Sequence, residues 1–369
     1  MSSERRTRVL LLFGGRSAEH DVSRATAVAV AAALDPYRYD VVPVAITTDG
    51  RWLLATEAQR AIAAGPAALP SEFAVAGDPV GGVGDLVAHR AGAAETSPLA
   101  EIDVVLPLLH GPYGEDGTVQ GLFELADLAY VGSGVLGSAV GMDKVMMKRA
   151  FAACGLPTPR WLAHRDGHDV TTFADQVEAE LGMPCFVKPA NMGSSVGVGK
   201  ARDRAELDAA IEHALVFDEW ILAEEAIVGR EIEVAVLGEH PPDASVPGEI
   251  VPGGEFYDYA DKYEDGAAQL LIPAPLEPAD ADAARALAVR AFDACRLEAM
   301  ARVDFFLEAD GRGFLVNEVN TIPGFTPISM FPRLWEASGT SYSELLDRLV
   351  ELALARRARR ATRAGRQRP

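Results

Sequence analysis

Three short apolar runs near the start of the chain, Val9–Phe13, Val41–Ile46 and Ile102–Leu106, are separated by stretches with helical periodicity, from about His20 to Leu34 and from Thr118 to Asp127. Strand and helix alternating in this way bury each other best as a parallel sheet with helices on its faces. The pattern therefore predicts a Rossmann-like parallel α/β layer over the first third. The chain has 369 residues, more than one hydrophobic core usually organises, so further domains must follow. Small residues cluster at Gly132–Gly141, a helix is expected from Asp143 to Cys154, and Pro157 and Pro159 close it. The first unit is accordingly placed at residues 1–140 and a second, α+β in character, at 141–226. That second unit holds an apolar strand at Cys185–Val187, a glycine-rich turn at 193–199, a helix near Asp203–Leu215 and a strand at Trp220–Ala223. A third unit, 227–355, has strands at Glu231–Leu237, Met300–Leu307 and Phe314–Val319, a long helix from about Ala279 to Cys295 and a closing helix from Ser341 to Leu354. Residues 55–100, rich in Ala, Gly and Pro, read as a helix or loops.

Composition narrows the function. No apolar stretch approaches the roughly 20 residues of a membrane span, and the opening run ends in Gly14-Gly15 rather than a cleavage site, so it reads as a first strand and not a signal peptide. A net charge of −20 argues against nucleic acid as a partner, which needs a basic surface. The segment Arg356–Pro369 departs from this with seven arginines and no acid, and is expected to be a frayed, solvated tail. Cys154, Cys185 and Cys295 are odd in number, far apart and set among apolar residues. They suggest buried thiols in a reducing, cytoplasmic compartment rather than disulfides or a zinc site.

The strongest chemical signal is Arg302-Val303-Asp304 on one strand, a turn at 310–313, and Asn317-Glu318-Val319-Asn320 on the next. Side chains alternate along strands, so a hairpin here would bring Arg302, Asp304, Glu318 and Asn320 onto one sheet face. Carboxylate and amide oxygens suit Mg2+, whose shell substrate phosphates complete, and the guanidinium suits a phosphate or a developing oxyanion. An exposed face of surface ion pairs is the plain alternative. Lys188 ends a strand just before Gly193-Ser194-Ser195-Val196-Gly197, a loop that can lay backbone N–H groups over phosphates; alone it is also an ordinary turn, and it is not a Walker A loop. Glu224, Glu225 and Glu231 flank a strand connection where an adenine cleft would be lined, with Glu231 suited to ribose hydroxyls. Glu19 sits near a helix start, where it could hold an ammonium group or simply cap the helix. His110 follows the third strand and is compatible with a substrate contact or a structural role. The irregular segment 252–272 contains Lys262 and Tyr263 and reads as a lid.

Taken together and in order, GGRSAEHDVS, HGPYGEDGTVQG, GMDKVMMK, VKPANMGSSVGV, EEAIVGREIEV, FYDYADKY, RVDFF and LVNEVNTIPGFTPIS resemble the D-alanine–D-alanine ligases, a branch of the ATP-grasp family, over nearly the whole chain from Val9 to about Leu354. The resemblance implies a substrate-binding first domain followed by a two-lobed ATP-grasp with ATP between the lobes. Lys144, Lys188, Ser194 and Ser195 would meet the phosphates. Glu224, Glu225, Ala226 and Ile227 would meet the adenine, and Glu231 the ribose, with Asn317 also on the nucleotide. Asp304, Glu318 and Asn320 would hold two Mg2+ (or Mn2+) ions. Glu19 and His110 would bind the first D-alanine, and Lys262 and Ser329 the carboxylate of the second. Glu19, Ser194 and Tyr263 would form a hydrogen-bonded set, and Arg302 with the backbone N–H near Gly324 would stabilise the oxyanion of a tetrahedral intermediate that follows an acylphosphate. A homodimer is likewise implied.

Two departures are small: Ile328 stands before Ser329 where members often differ, and Ala226 replaces a bulkier residue of some relatives. The alternatives are use of D-lactate as second substrate, against which Tyr263 stands, use of D-serine, and another ATP-grasp ligase joining a different carboxylate and amine.

Overall fold

Val9–Phe13 is apolar at every position, a pattern that suits a strand covered on both faces. In the computed structural model, which describes residues 5–81, 99, 101–252, 269–309 and 311–363, this run forms the middle of β1 (Thr7–Gly14), and all five side chains are closed off from solvent. Helix α1 (His20–Ala33) lays Ser23, Ala27 and Val30 on the sheet. Strands β2 (Tyr39–Ile46), β3 (Trp52–Leu54), helix α2 (Thr56–Ala64), β4 (Asp78–Pro79), β5 (Val104–Pro107), α3 (Thr118–Leu125) and β6 (Ala129–Tyr130) complete the first unit. Its six strands run in the order β4-β3-β2-β1-β5-β6; β1 is parallel to β2 and β5, β5 is parallel to β6, and the β3 and β4 edge is antiparallel. The carboxyl ends of β1 and β5 are tied by one buried hydroxyl: Gly14 N–H donates to Ser23 Oγ at 2.8 Å, and that oxygen donates to the Leu108 carbonyl at 2.5 Å. Gly14, at φ 86°, has no space for a side chain, since a Cβ there would lie 2.3 Å from the Ile46 carbonyl oxygen. This fixes the direction in which the loop to Glu19 leaves the sheet.

Helices α4 (Val135–Met142) and α5 (Lys144–Ala153) follow. Helix α4 runs across residue 140, where the sequence reading ended the first unit, and Asp143 caps α5 by accepting from Met146 N–H. Strand β7 (Trp161–Arg165), helix α6 (Val170–Glu180), β8 (Cys185–Pro189), β9 (Gly199–Ala201), α7 (Arg204–Leu215) and β10 (Trp220–Glu225) build a four-stranded antiparallel sheet, β7-β10-β8-β9. The third sheet is also antiparallel. It contains β11 (Gly229–Gly238), β12 (Asp243–Ala244), β13 (Gly248–Val251), β14 (Gln269–Leu271), then, beyond helix α8 (Pro278–Ala294), β15 (Ala299–Glu308) and β16 (Phe314–Asn320), in the order β14-β13-β11-β15-β16 with β12 on β11. Because β14 pairs with β13, the expected lid segment 252–272 ends in a strand. Residues 253–268, Lys262 and Tyr263 among them, lie outside the described residues. Helices α9 (Met330–Ala337) and α10 (Tyr342–Ala361) close the chain. One apolar core joins the first unit to the third, with Val9, Leu11 and Phe13 in the same cluster as Leu237, Met300, Phe331, Leu345 and Leu349. Among the described residues no helix is long and apolar enough to cross a membrane.

The expectation of a frayed tail from Arg356 is corrected. Helix α10 opens with a capping box of Ser341 and Glu344 and continues to Ala361, six residues into that segment. Arg356 is 3% exposed, donates to the carbonyls of Tyr130 at 2.6 Å and Gly132 at 2.5 Å, and stacks on the Tyr130 ring. Arg360 pairs with Glu124 and Glu298, and Arg359 with Glu239. The acids that order this basic run lie far back in the chain, so nothing local announces them. Cys154 also departs from expectation: it is exposed at the end of α5, whereas Cys185 and Cys295 are buried, and burial pushes the Cys295 thiol up to about 12. Arg356→Met strips two buried carbonyls of their donor and leaves Glu298 to Arg360 alone. It is expected to lower unfolding free energy by about 3 kcal/mol or more in urea melts, whereas Arg357→Ala at the exposed face changes it by under about 0.5 kcal/mol.

Candidate active site

The hairpin inferred from sequence is present: β15 and β16 pair antiparallel with Arg302 opposite Asn320 and Asp304 opposite Glu318. A bulge between Asp304 and Phe305 leaves Asn317 without a cross-strand partner, since Phe305 faces Val316 and Asp304 faces Glu318. The bulge switches the strand from one buried face to another, so that Asn317 and Glu318, neighbours in sequence, are both half-buried. Arg302 donates through Nε and a terminal nitrogen to the two oxygens of Asp304, both at 2.7 Å, and Asn320 Nδ2 donates to Asp304 at 2.9 Å. Glu233 on β11, which the sequence reading passed over, lies opposite Asp304 and pairs with Arg302 at 3.0 Å. Burial alone would lower the Arg302 guanidinium, but Asp304 and Glu233 outweigh it and hold it well above its ordinary value. Among the described residues no group of three or more His, Cys, Asp and Glu side chains suited to a metal ion is present, so Asp304 and Glu318 need the Asn320 amide and outside ligands to complete a shell.

Facing this is a group of lysines. Lys188 Nζ donates to Glu224 Oε2 at 2.5 Å, and Lys148 Nζ pairs with Glu224 Oε1 at 2.5 Å. Glu224 was expected on the adenine; instead both oxygens of its carboxylate are taken up by lysines. Lys148 was not singled out from sequence, though it lies one helical turn beyond Lys144 in the same motif. Burial would raise the Glu224 carboxyl, but Lys148 and then Lys188 outweigh it and hold it well below the usual range. Lys144 Nζ donates to the Met192 carbonyl at 2.6 Å, pinning the glycine–serine loop; burial lowers its pKa while the nearby Glu318 charge opposes that. Ser194 and Ser195, adjacent in this loop's turn, both adopt left-handed backbone, at φ 48° and 59°, a conformation uncommon without glycine. Glu225 is held by Arg160 and by Arg312 across the two lobes, while Ala226 N–H donates to the Pro184 carbonyl at 3.3 Å and Ile227 is half-buried. Glu231 lies on β11 opposite Phe306, close enough for its charge to act on Lys188.

The first unit reaches the loop through Glu19. Ser194 Oγ donates to Glu19 Oε1, and a Cβ on Gly193 would lie 3.0 Å from the other carboxylate oxygen. Glu115, quoted in a motif but given no role, bridges two units: it accepts from Gly111 N–H at 2.8 Å and from Ile322 N–H at 3.0 Å, two residues beyond Asn320. His110 makes the same crossing through Nδ1 to the Ile322 carbonyl at 3.1 Å, and its buried Nε2 has no hydrogen-bond partner among the described residues. Ser329 stands at the N-cap position of α9 but turns its hydroxyl to Thr326 at 2.7 Å rather than to the helix, and Gly324 lies against that hydroxyl, where a Cβ would be 3.0 Å away. An apolar cavity of about 850 Å3 opens at the carboxyl ends of β1, β2 and β5, bounded by Arg16, Trp52, Leu109 and Tyr113; it shares only His110 with the groups above.

A parallel α/β unit set against two antiparallel α+β lobes, with buried lysines on one lobe and an acid–amide hairpin on the other, is the architecture of the ATP-grasp ligases. The family models described as D-ala D-ala ligase N-terminus and D-ala D-ala ligase C-terminus match residues 8–133 and 150–351. A D-alanine–D-alanine ligase of Geobacillus thermodenitrificans is 48% identical over 357 residues, 95% of this chain and 96% of that protein; one of Kineococcus radiotolerans is 49% identical over 374 residues, 96% and 99%. Among solved structures, the D-alanine–D-alanine ligase of Coxiella burnetii superposes with a TM-score of 0.79 at 32% identity, covering 96% of each chain. A D-Ala:D-Ser ligase of Enterococcus faecalis superposes at 0.81 and 32% identity, covering 95% of this chain and all of that one. The chain belongs to the D-alanine–D-alanine ligase family.

Burial, and then the charge of Glu19, push the Glu115 carboxyl up from 4.5 to about 8 against the pull of its two N–H donors. The folded state thus keeps a proton that the unfolded chain has already lost. The stability this group contributes is complete below the unfolded pKa and drains away as pH rises towards 8. Replacing it by Gln costs an N–H acceptor at every pH but removes the titration. The gap in urea midpoint between the native protein and Glu115→Gln is therefore expected to narrow from pH 5 to pH 8; a constant gap would mean the carboxylate is ionised throughout.

Proposed function

We propose that this protein is an ATP-dependent ligase that joins two D-alanine molecules into D-alanyl-D-alanine, with release of ADP and phosphate, for peptidoglycan synthesis in the cytoplasm. The observation that carries the reading is the contact between Ser194 and Glu19, because it puts the loop suited to phosphates against the acid suited to a substrate ammonium group. Identity near one half to D-alanine–D-alanine ligases over almost the full length supports the substrate.

The chemistry then follows from where charge appears. Glu19 holds the ammonium of the first D-alanine, leaving its carboxylate directed at the terminal phosphoryl group of ATP, which Lys144, Lys188 and the N–H groups around Ser194 and Ser195 receive. The adenine lies along the backbone of Glu225, Ala226 and Ile227, and Glu231 takes the ribose. The acylphosphate so formed is attacked by the amine of the second D-alanine, whose carboxylate meets Ser329 and Lys262. Arg302, already aligned by Asp304 and Glu233, and the Gly324 N–H stabilise the resulting oxyanion before phosphate leaves. Asp304, Glu318 and Asn320 would supply hard oxygen donors that fit Mg2+ or Mn2+, two ions when loaded, and such ions would neutralise charge on the phosphates, with Asn317 on the nucleotide. His110 and Tyr263 close the first D-alanine's side against water. The assembly is taken to be a homodimer, which light scattering tests.

Phosphate release from ATP and Mg2+ is expected with D-alanine as the sole amino acid and not with L-alanine; a requirement for D-serine would instead favour the chemistry of the Enterococcus faecalis relative, and one for D-lactate a depsipeptide-forming ligase. Glu318→Gln is expected to reduce turnover at least about a thousandfold with an unchanged melting temperature, and retention of turnover would remove Glu318 from the metal set.

A further inference from the structure

Lys148 is buried as deeply as any charged side chain described, with 1% of its surface exposed, and its ion pair is with Glu224. It reaches the site through Glu224. The two oxygens of that carboxylate take one ammonium each, Lys148 at 2.5 Å and Lys188 at 2.5 Å, in a place where water is scarce. Lys188 is the more open partner, 16% exposed at its side chain, and lies on β8 beside the glycine–serine loop; Lys148 lies on α5 one turn from Lys144. A buried carboxylate with a single lysine would make a neutral pair, and the charge of Lys188 would be spent within it. With two, the cluster keeps one positive charge in excess.

We propose that Lys148 is a positioning residue for the nucleotide: by occupying one oxygen of Glu224 it leaves Lys188 with charge to present to a polyphosphate. The inference rests on the ATP-dependent reading above. It assigns Glu224 to holding two lysines rather than to accepting from adenine, and it makes the affinity for nucleotide depend on the charge balance of three buried groups. Lys144, Glu318 and Glu231 also act on this balance from neighbouring elements. They remain in place in every variant below.

The test is calorimetric binding of magnesium adenylyl imidodiphosphate in the absence of amino acid. Lys148→Gln keeps a hydrogen-bond donor for Glu224 without the charge, and is expected to bind the nucleotide on the order of tenfold more weakly. Its KM for D-alanine at saturating ATP should stay within about twofold of the unmodified protein. The double variant Lys148→Met with Glu224→Gln restores one net positive charge and is expected to recover affinity to within about threefold. Lys148→Arg, which keeps the charge, is expected to bind as the unmodified protein does. Undiminished binding by Lys148→Gln, a double variant as weak as the single one, or a folded arginine variant weakened tenfold would each overturn the inference. Should Lys148→Gln not fold, the arginine and double variants still decide. An unmodified protein that binds no nucleotide would overturn the functional reading and this inference with it, whereas equal binding by all variants would overturn the inference alone.

Discussion

Glu224 accepts an ammonium group on each of its carboxylate oxygens, and the ATP-binding half of the molecule is arranged around that contact. Its strand β10 lies between β7 and β8, so Glu224 is held within reach of Lys188 on the neighbouring strand, and Lys148 descends from α5 to meet the second oxygen. A charge buried alone costs several kcal/mol, so Glu224 needs a lysine beside it and Lys148, 1% exposed, needs the carboxylate, whereas Lys188 is open enough to keep its charge. The hairpin solves the same problem in the same way. Arg302 is shared by Asp304 and Glu233, and Asn320 fills a remaining site on Asp304. Two compensated clusters, one rich in cations and one in acids, are thus fixed in place before any substrate arrives, which is the preorganisation that electrostatic catalysis requires.

The first unit is joined to these clusters by short polar bridges over a shared apolar core. Glu115 and His110 both reach Ile322, just past the hairpin, and Glu19 reaches Ser194. A shift of the parallel sheet relative to the third sheet would disturb both bridges to Ile322, and a shift relative to the second lobe would disturb the bridge to Ser194. Arg356 works on the far side, where α10 is fastened to Tyr130 and Gly132 at the end of the parallel sheet.

Legibility followed from the range of the interaction. Residues on one strand or one hairpin were readable: Arg302, Asp304, Glu318 and Asn320 share a face because strand side chains alternate, and their pairing needed only a local turn. The Asn317 bulge was not readable, since a single extra residue is selected by packing on both sides of the strand and not by the strand's own pattern. Glu115, Lys148 and Glu233 sat within quoted or neighbouring segments but carried no signal, because a lone acid or lysine in a strand or helix is indistinguishable from a solvated one. The basic end of the chain misled for the converse reason: its counter-charges, Glu124, Glu239 and Glu298, are remote in sequence.

By itself the sequence determined the parallel α/β start, the two following α+β units, the residue types proposed for the nucleotide and metal site and, through its resemblance, the family. These follow from periodicity, glycine placement and short motifs, each of which acts over a few residues. Only the tertiary structure decided what each charge is bonded to. It turned Glu224 from a ligand for adenine into the partner of two lysines, made Lys148 part of the site, raised Glu115 as a bridge between units and ordered Arg356 as a buried donor. The reason is that a buried charge takes its character from the nearest opposite charge, and in this fold that charge comes from another element of the chain.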